Sequence, residues 1–120
     1  MISKDQQLYP QNSRVLGEFI KTYIPQHTRI SIAAYPSFYL QQELEFRTNN
    51  AYEFTTEPIE KIIHTYSGEP LILLNPQQVI LDKLQSTYPT HRLYTHINNV
   101  QLHDILLFVQ QKNTDGIISL

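Results

Sequence analysis

Cysteine and tryptophan are missing from this chain of 120 residues, and it has only three glycines. Without cysteine there are no disulfides, no thiolate nucleophile and no cysteine-ligated zinc. Gly17, Gly68 and Gly116 are too widely separated to form the glycine-rich loop that cradles a phosphate group. We therefore expect no cofactor, and the composition argues against nucleotide chemistry of the glycine-loop kind.

Charge is also scarce. Asp, Glu, Lys and Arg make up 17% of the chain, whereas about 25% is typical of soluble domains. The nine basic residues are scattered from Lys4 to Lys112, and the formal net charge is -2. Because nucleic-acid binding needs clustered Lys and Arg, we expect no nucleic-acid partner. No apolar run approaches the roughly 20 residues that cross a bilayer.

Apolar residues recur at helical spacing in three segments, and each has start or stop signals. The first begins at Asn12 or Ser13 and stops before Pro25. The second has Thr56 as its predicted N-cap, because a threonine hydroxyl can accept from the free amides of a first turn. The third is predicted to begin at Asn75, which is followed by a proline at the first helical position.

Strands are predicted between these helices. Apolar runs at Arg29–Tyr35 and Pro70–Leu74 are typical of buried strands, and Arg92–Ile97 alternates as a half-buried strand does. Residues 36–50 fit either a short helix or an extended edge segment. Residues 104–110 fit either a helix or a strand, since periodicity does not separate short apolar runs.

This order of elements predicts an α/β fold. We expect a three-layer α/β/α, Rossmann-like arrangement, with a mostly parallel sheet of about four or five strands and helices on both faces. Residues 1–12 are polar and predict a flexible lead-in, and residues 13–120 predict a single α/β domain.

The aromatic residues after the first strand suggest a ligand site. In an open α/β sheet, ligands bind beyond the carboxyl ends of the strands. Tyr35, Phe38 and Tyr39 would lie there, together with Asn75 after a later strand. A sugar or polyol could stack on such rings, so these four residues are the predicted ligand-binding residues. The alternative is that they only cover the edge of the sheet.

The histidines do not predict a metal site. His91, His96 and His103 are spaced by five and seven, so no two of them stack on one helical face as His-x-x-x-His does. On a strand, His91 and His96 point to opposite faces. We expect no metal ligands among them.

No catalytic residue is predicted from the carboxylates either. Glu57 and Glu60 fall at a predicted helix start, where negative charge is stabilising without any chemistry. Glu43 and Glu45 would share a face with Arg47 if that segment is extended, and would then form a polar strip for a sugar or a partner. The sequence has no Gly-x-Ser-x-Gly nucleophile elbow.

The order of several segments carries a family resemblance. The chain has a helix ending in Tyr23-Ile24-Pro25, a strand Arg29–Ala34, the step Tyr35–Leu40, a strand Glu69–Leu74 and a closing run His103–Val109. Together these segments resemble the soluble C-terminal, extracytoplasmic domain of polytopic lipid-linked-sugar glycosyltransferases. That group includes the aminoarabinose and protein-mannosyl transferases.

The resemblance implies a non-catalytic accessory domain of a membrane glycosyltransferase. Such a domain packs on the membrane part of the same polypeptide, at the extracytoplasmic face, and shapes the access of the acceptor or of the lipid-linked sugar donor. The acidic catalytic residues of the family lie in membrane-side loops outside this chain, so none is carried over. The resemblance also favours a strand over 104–110, with Ile97–Leu102 in a closing antiparallel hairpin.

A second resemblance is to the small psi subunit of the bacterial clamp loader. It rests on Ile24–Ile30, which precedes an apolar strand, and on Pro58–Ile62, whereas the Trp-containing segments of that family are missing. It implies a stand-alone, cytoplasmic protein–protein interaction subunit with no enzymatic activity. The eight tyrosines fit this alternative, because Tyr is enriched at interfaces.

Overall fold

The computed structural model describes the backbone of residues 4–34, 38–97, 100–102 and 105–110, and the side chains of residues 13–34, 40–97, 102 and 105–110. In this part of the chain, four helices and seven strands form a mixed α/β fold. The helices are α1 (Lys4–Tyr23), α2 (Phe38–Arg47), α3 (Ile59–Thr65) and α4 (Gln78–Thr87). The strands are β1 (Arg29–Ala33), β2 (Glu53–Glu57), β3 (Leu71–Leu74), β4 (His91–Tyr94), β5 (His96–Ile97), β6 (Val100–Gln101) and β7 (Ile105–Gln110).

Five strands form the main sheet in the order β2-β1-β3-β7-β4. β1 pairs in parallel with β2 and with β3. β7 pairs antiparallel with both β3 and β4, so β4 runs in the same direction as the first three strands. The sheet is therefore mostly parallel, as predicted, with one antiparallel strand in its interior.

The chain reverses its direction of travel across the sheet at β2. From β1 it passes through α2 to β2 at one edge, and then through α3 back past β1 to β3. From β3 it continues through α4 to β4 at the opposite edge. β1 and β3 are therefore neighbours whose onward connections leave in opposite directions. In open α/β sheets, this is the place where a crevice forms beyond the carboxyl ends of the strands.

The buried apolar side chains form two clusters on opposite faces of the sheet. Ile72 of β3 belongs to one cluster, whereas its neighbours Leu71 and Leu73 belong to the other. Successive strand side chains point to opposite faces, so this alternation separates the clusters. The first contains the buried residues of α1 and α2, and the second contains those of α3 and α4.

Helix α1 begins at Lys4, earlier than the predicted start at Asn12 or Ser13. The prediction followed the apolar spacing, which begins only at Val15. Lys and Gln are good helix formers and extend the helix without contributing to an apolar stripe. The expected end was correct, since α1 finishes at Tyr23, two residues before Pro25.

The ambiguous segment 36–50 contains a helix, α2. Leu40 and Leu44 are one turn apart and fully buried, whereas Phe46 is 77% exposed. On a helix, Glu43 and Glu45 diverge by about 200°, so the conditional polar strip with Arg47 does not form. Arg47 Nε instead lies 3.4 Å from a carboxylate oxygen of Glu43 on the adjacent turn.

Both predicted N-caps were wrong. Thr56 is a residue of β2, paired with Ile32 of β1, and its hydroxyl donates to the Gln41 side-chain oxygen. Pairing in the sheet thus continues past the expected helix start. Asn75 has φ of 47°, a left-handed conformation that Asn tolerates, and turns the chain out of β3. The N-cap of α4 is Gln77.

The end of the described chain is extended. Residues 105–110 form strand β7, and β5 pairs antiparallel with β6 in a short hairpin. The predicted strand Arg92–Ile97 is divided by a bend at Thr95 into β4 and β5. Tyr94 is buried in the first cluster, while Leu93 packs on the second, because both faces of the sheet are covered there. None of the helices in the described part combines the length and apolar character that a membrane crossing needs.

Candidate functional site

A cleft of about 250 Å³ lies at the carboxyl ends of β1 and β3, the two neighbouring strands whose onward connections leave in opposite directions. Its floor is made by the strand ends and its walls by the first turns of α3 and α4. The lining residues are Ala33, Ala34, Ile59, Glu60, Leu73, Leu74, Asn75, Pro76, Gln77 and Ile80. Most are apolar, and Glu60 is the one charged residue among these lining side chains. Because a phosphate needs cations or glycine amides, this cleft does not favour a nucleotide.

The predicted ligand residues are only partly brought to this cleft. Asn75 lies in its wall, as the position after β3 implied. Tyr35 falls outside the described residues. Phe38 and Tyr39 are the first residues of α2, and their side chains are also outside the described part. The aromatic component of the predicted site therefore stays a prediction.

A second cavity of about 310 Å³ lies between α3 and α4, further from the carboxyl ends of the strands. Its lining residues are Ile63, His64, Tyr66, Ile80, Lys83, Leu84, Thr87 and Tyr88. Ile80 lines both cavities, so they are adjacent parts of one depression. We name this depression the α3/α4 groove. Its apolar walls are Ile59, Ile63 and Tyr66 on one side and Ile80, Leu84 and Tyr88 on the other.

Each wall of the α3/α4 groove comes from one face of one helix. Ile59, Ile63 and Tyr66 are spaced by four and three, and Ile80, Leu84 and Tyr88 by four and four. These spacings align side chains along a helix. α3 has only seven residues, and Ile62 is its buried residue. So short a helix covers little of the sheet, and its second apolar stripe is left facing the groove.

An aromatic cluster closes the far end of the groove. The rings of Tyr66 and Tyr88 meet edge to face with centroids 4.9 Å apart, and Phe108 of β7 lies beneath both. The Tyr66 hydroxyl donates to the Glu69 carbonyl at 2.7 Å, and the Tyr88 hydroxyl donates to the Tyr66 carbonyl at 3.1 Å. These bonds fix both rings in place, so this end of the groove is rigidly built.

Gly68 and His91 complete the cluster. The His91 ring lies 5.0 Å from the Phe108 ring, and its Nε2 is 2.8 Å from the Gly68 carbonyl oxygen. A carbonyl only accepts, so Nε2 carries the proton. The Nδ1 atom of His91 is buried without a partner among the described residues. Gly68 has φ of 97°, and an added Cβ would meet the Tyr88 and His91 rings at 3.7 and 3.8 Å. The described contacts of His91 are therefore those of a ring packed in the aromatic cluster.

Burial raises the pKa of Tyr66 far above that of a free tyrosine, and the negative charge of Glu69 and the neighbouring Tyr88 raise it further. Its hydroxyl therefore stays protonated and stays a donor. A tyrosine held in this state serves packing and not acid–base chemistry near neutral pH. In the groove wall, the Tyr66 hydroxyl thus acts as a fixed hydrogen-bond donor.

Sequence reasoning missed this cluster although the sequence carries a signal for it. Each of α3 and α4 ends in a Thr-Tyr pair, Thr65-Tyr66 and Thr87-Tyr88, with the tyrosine at the C-cap. Both helices connect parallel strands, so the C-termini of both helices lie at the same end of the strands, where β3 and β4 begin. Equivalent tyrosines in successive crossover units are thereby brought together.

The rim of the α3/α4 groove carries one charge on each helix. Glu60 of α3 lines the cleft near the carboxyl ends of the strands, and Lys83 of α4 lines the second cavity. Both are exposed, and within the described residues neither takes part in an ion pair. Nor do the described residues bring three His, Cys, Asp or Glu side chains close enough to hold a metal ion. The groove offers apolar area and two free charges, which suit binding.

Comparison with known proteins gives no relative for this chain. No family model matches it, and neither a curated protein nor a solved structure does so.

Proposed function

We propose that this chain is a non-catalytic interaction subunit that docks on a partner protein through the α3/α4 groove. In this proposal the fold is a three-layer α/β/α arrangement of the Rossmann-like kind, used as a rigid support. The observation that carries the proposal is the groove itself. It presents two apolar helix stripes around one depression, next to a rigid aromatic cluster, and the described side chains that line it do not form a catalytic constellation.

An exposed apolar side chain on α4 also supports the proposal that the partner docks on the face of the sheet that α3 and α4 cover. Among the described residues, the strongly exposed large hydrophobic side chains are Val79, at 66%, and Phe46, at 77%. Val79 lines neither cavity, but it lies one helical turn before Lys83 and so on the same side of α4. Phe46 lies on α2, on the opposite face of the sheet. The two residues therefore form a matched pair for testing which face binds.

The proposed function is tested by affinity capture with three baits: the wild-type chain, Val79→Glu and Phe46→Glu. Extract of the source cells is passed over each bait, and the captured proteins are quantified by mass spectrometry. We expect one protein to be retained in stoichiometric amount by the wild-type chain and by Phe46→Glu. We expect Val79→Glu to lose it, because a charge at an apolar rim must be desolvated on docking.

Two results would contradict the proposed function. In one, no protein is retained stoichiometrically by the wild-type chain. In the other, all three baits retain the same protein equally, which would move the docking surface away from α4. Light scattering after size exclusion checks that each bait is folded and has the same mass in solution.

A second candidate, the accessory domain of a membrane glycosyltransferase, is supported by the end of the chain. The resemblance implied a strand over 104–110 and a hairpin around Ile97–Leu102, and β7 and the β5–β6 pair lie there. In this candidate, Tyr35, Phe38, Tyr39 and Asn75 bind part of a lipid-linked sugar at the carboxyl ends of the strands. The membrane part of the same polypeptide is then the partner, at the extracytoplasmic face.

The reading frame upstream of the codon for Ile2 tests this second candidate. A continuous frame that encodes a series of hydrophobic segments is expected if the chain is the tail of a transferase. A stop codon and a ribosome-binding site immediately before Met1 would end this candidate and leave the interaction subunit.

A further inference from the structure

The direction and charge of the α3/α4 groove specify what can occupy it, provided that the proposed function is right. α3 connects β2 to β3, and α4 connects β3 to β4, and these strands are parallel. Both helices therefore run antiparallel to the strands. Their N-termini lie together at the carboxyl ends of the strands, and their C-termini lie together at the aromatic cluster.

The two rim charges lie in different cavities of the groove. Glu60 is in the first turn of α3 and lines the cleft at the N-terminal end of both helices. Lys83 lines the cavity that Tyr66 and Tyr88 close, and exposed His64 lines the same cavity. The groove thus carries its acidic side chain in the cavity at the carboxyl ends of the strands and its lysine in the cavity next to the aromatic cluster.

We infer that the groove binds one amphipathic α-helix of a partner protein, oriented antiparallel to α3 and α4. This orientation places the C-terminus of the partner helix beside the N-termini of α3 and α4, so that the helix dipoles are antiparallel. Basic residues in the last turn of the partner helix meet Glu60, and acidic residues in its first turn meet Lys83.

The charge pattern of the groove matches that of an ordinary helix. Acidic residues are stabilising in the first turn of a helix and basic residues in the last turn. A helix with this usual pattern fits the groove only in the antiparallel orientation, since the parallel one places like charges together. The length also fits: α4 has ten residues and spans about 15 Å, so a helix of about three turns covers both cavities. Apolar anchors at i, i+4 and i+7 would fill the walls.

The experiment is a selection from a displayed library of helical peptides. All members carry one leucine stripe at i, i+4, i+7 and i+11, and the first and last turns are randomised among Glu, Lys, Gln and Ala. The library is selected in parallel on the wild-type chain and on the charge-swap variant Glu60→Lys/Lys83→Glu. Both substituted residues are exposed, so the fold is preserved.

On the wild-type chain we expect enrichment of peptides with Glu in the first turn and Lys in the last. On the charge-swap variant we expect the reverse pattern. For a selected peptide and its charge-reversed twin, the Kd should differ by roughly threefold to tenfold, because two rim ion pairs each contribute modestly. Val79→Glu should weaken the selected peptide, and Phe46→Glu should not.

The inference is overturned if no helical peptide is enriched, or if the enriched peptides keep the same charge pattern on both targets. It is also overturned if the light-scattering mass is that of a dimer whose contacts cover the groove, since a second copy would then be the occupant. These failures are distinct from failure of the proposed function. If Val79→Glu abolishes capture of a cellular partner while peptide selection shows no charge polarity, the chain is an interaction subunit whose groove binds another shape.

Discussion

The two faces of the sheet are covered to different degrees. On one face, α1 runs for 20 residues and packs on α2, and together they bury the residues Val15, Leu16, Phe19, Ile20, Leu40 and Leu44. On the other face, α3 buries only Ile62, and α4 buries Leu81 and Leu84. The apolar residues Ile59 and Ile80 on that face stay half-exposed beside the groove.

The face that α1 and α2 cover is tightly packed, because these two helices are in close contact. Gly17 of α1 faces Arg47 of α2, where an added Cβ would lie 3.0 Å from the Arg47 Cβ. Arg47 Nε donates to the hydroxyl of the buried Ser13 at 3.2 Å. Along the described groove walls before their C-terminal tyrosines, no comparable hydrogen bond or close backbone contact joins α3 to α4. The two helices meet at these tyrosines, Tyr66 and Tyr88. The difference separates a face whose helices are tightly joined from one whose helices leave apolar side chains half-exposed between them.

The largest expected effect contrasts the two faces directly. Leu16 is fully buried on the α1 face, so Leu16→Ala should reduce the free energy of unfolding by about 2–5 kcal/mol. Ile80→Ala, in the half-exposed groove wall, should reduce it by about 1 kcal/mol. Urea unfolding followed by circular dichroism gives both values. Equal losses of stability for the two variants would show that the α1/α2 face and the α3/α4 face are equally tightly packed.

A smaller effect is expected from filling the contact between α1 and α2. Gly17→Val should reduce the free energy of unfolding by about 1–3 kcal/mol, because the side chain has no room against Arg47. Its control is Glu18→Val, one residue later on the exposed side of the same helix, which should change stability by less than about 0.5 kcal/mol. A Gly17→Val chain as stable as the control would mean that α1 and α2 are not tightly joined.

The smallest effect concerns the tyrosines at the end of the groove. Tyr66→Phe removes a hydrogen bond to a carbonyl and should cost about 1 kcal/mol at neutral pH. The pKa of Tyr66 is raised in the folded chain, while that of the unfolded chain is about 10. Above about pH 10, the unfolded chain therefore releases this proton first and stability falls.

Urea titrations at several alkaline pH values measure that loss. Above about pH 10, the free energy of unfolding should fall more steeply for the wild-type chain than for Tyr66→Phe, by at most about 1.4 kcal/mol per pH unit. Identical pH profiles would show that Tyr66 is not buried in the cluster, and that this end of the groove is open.

The sequence predicted what depends on local spacing. The stripes of α3 and α4, the buried strands β1 and β3 and the mostly parallel sheet all follow from the periodicity of apolar residues. Helix α2 was ambiguous because its aromatic residues fit no single face, and Phe46 in fact points outward. Thr56 and Asn75 have the chemistry of N-caps, but pairing in the sheet and a left-handed turn decided their conformations.

The groove could not be predicted from spacing, because it depends on two helices that are distant in sequence. Ile59 to Tyr66 and Ile80 to Tyr88 each read as an ordinary amphipathic helix. Whether such stripes meet the sheet or leave an open depression depends on helix length and on the order of the strands. The position of β7 between β3 and β4 is likewise set by non-local pairing, which no local pattern indicates.

That position of β7 has a consequence for how the protein is made. β3 and β4 lie on either side of β7 and do not pair with each other, so β4 is joined to the sheet only through a strand that comes later in the chain. Until β7 joins the sheet, β4 has no strand to pair with in the main sheet, and Phe108 is not in place beneath the two tyrosines of the groove. β7 supplies Ile105, Leu107 and Val109 to the first cluster and Phe108 to the second, so both faces of the sheet are completed only after β7 has joined it. A chain without β7 therefore has an unpaired β4 and an incomplete apolar cluster on each face of the sheet.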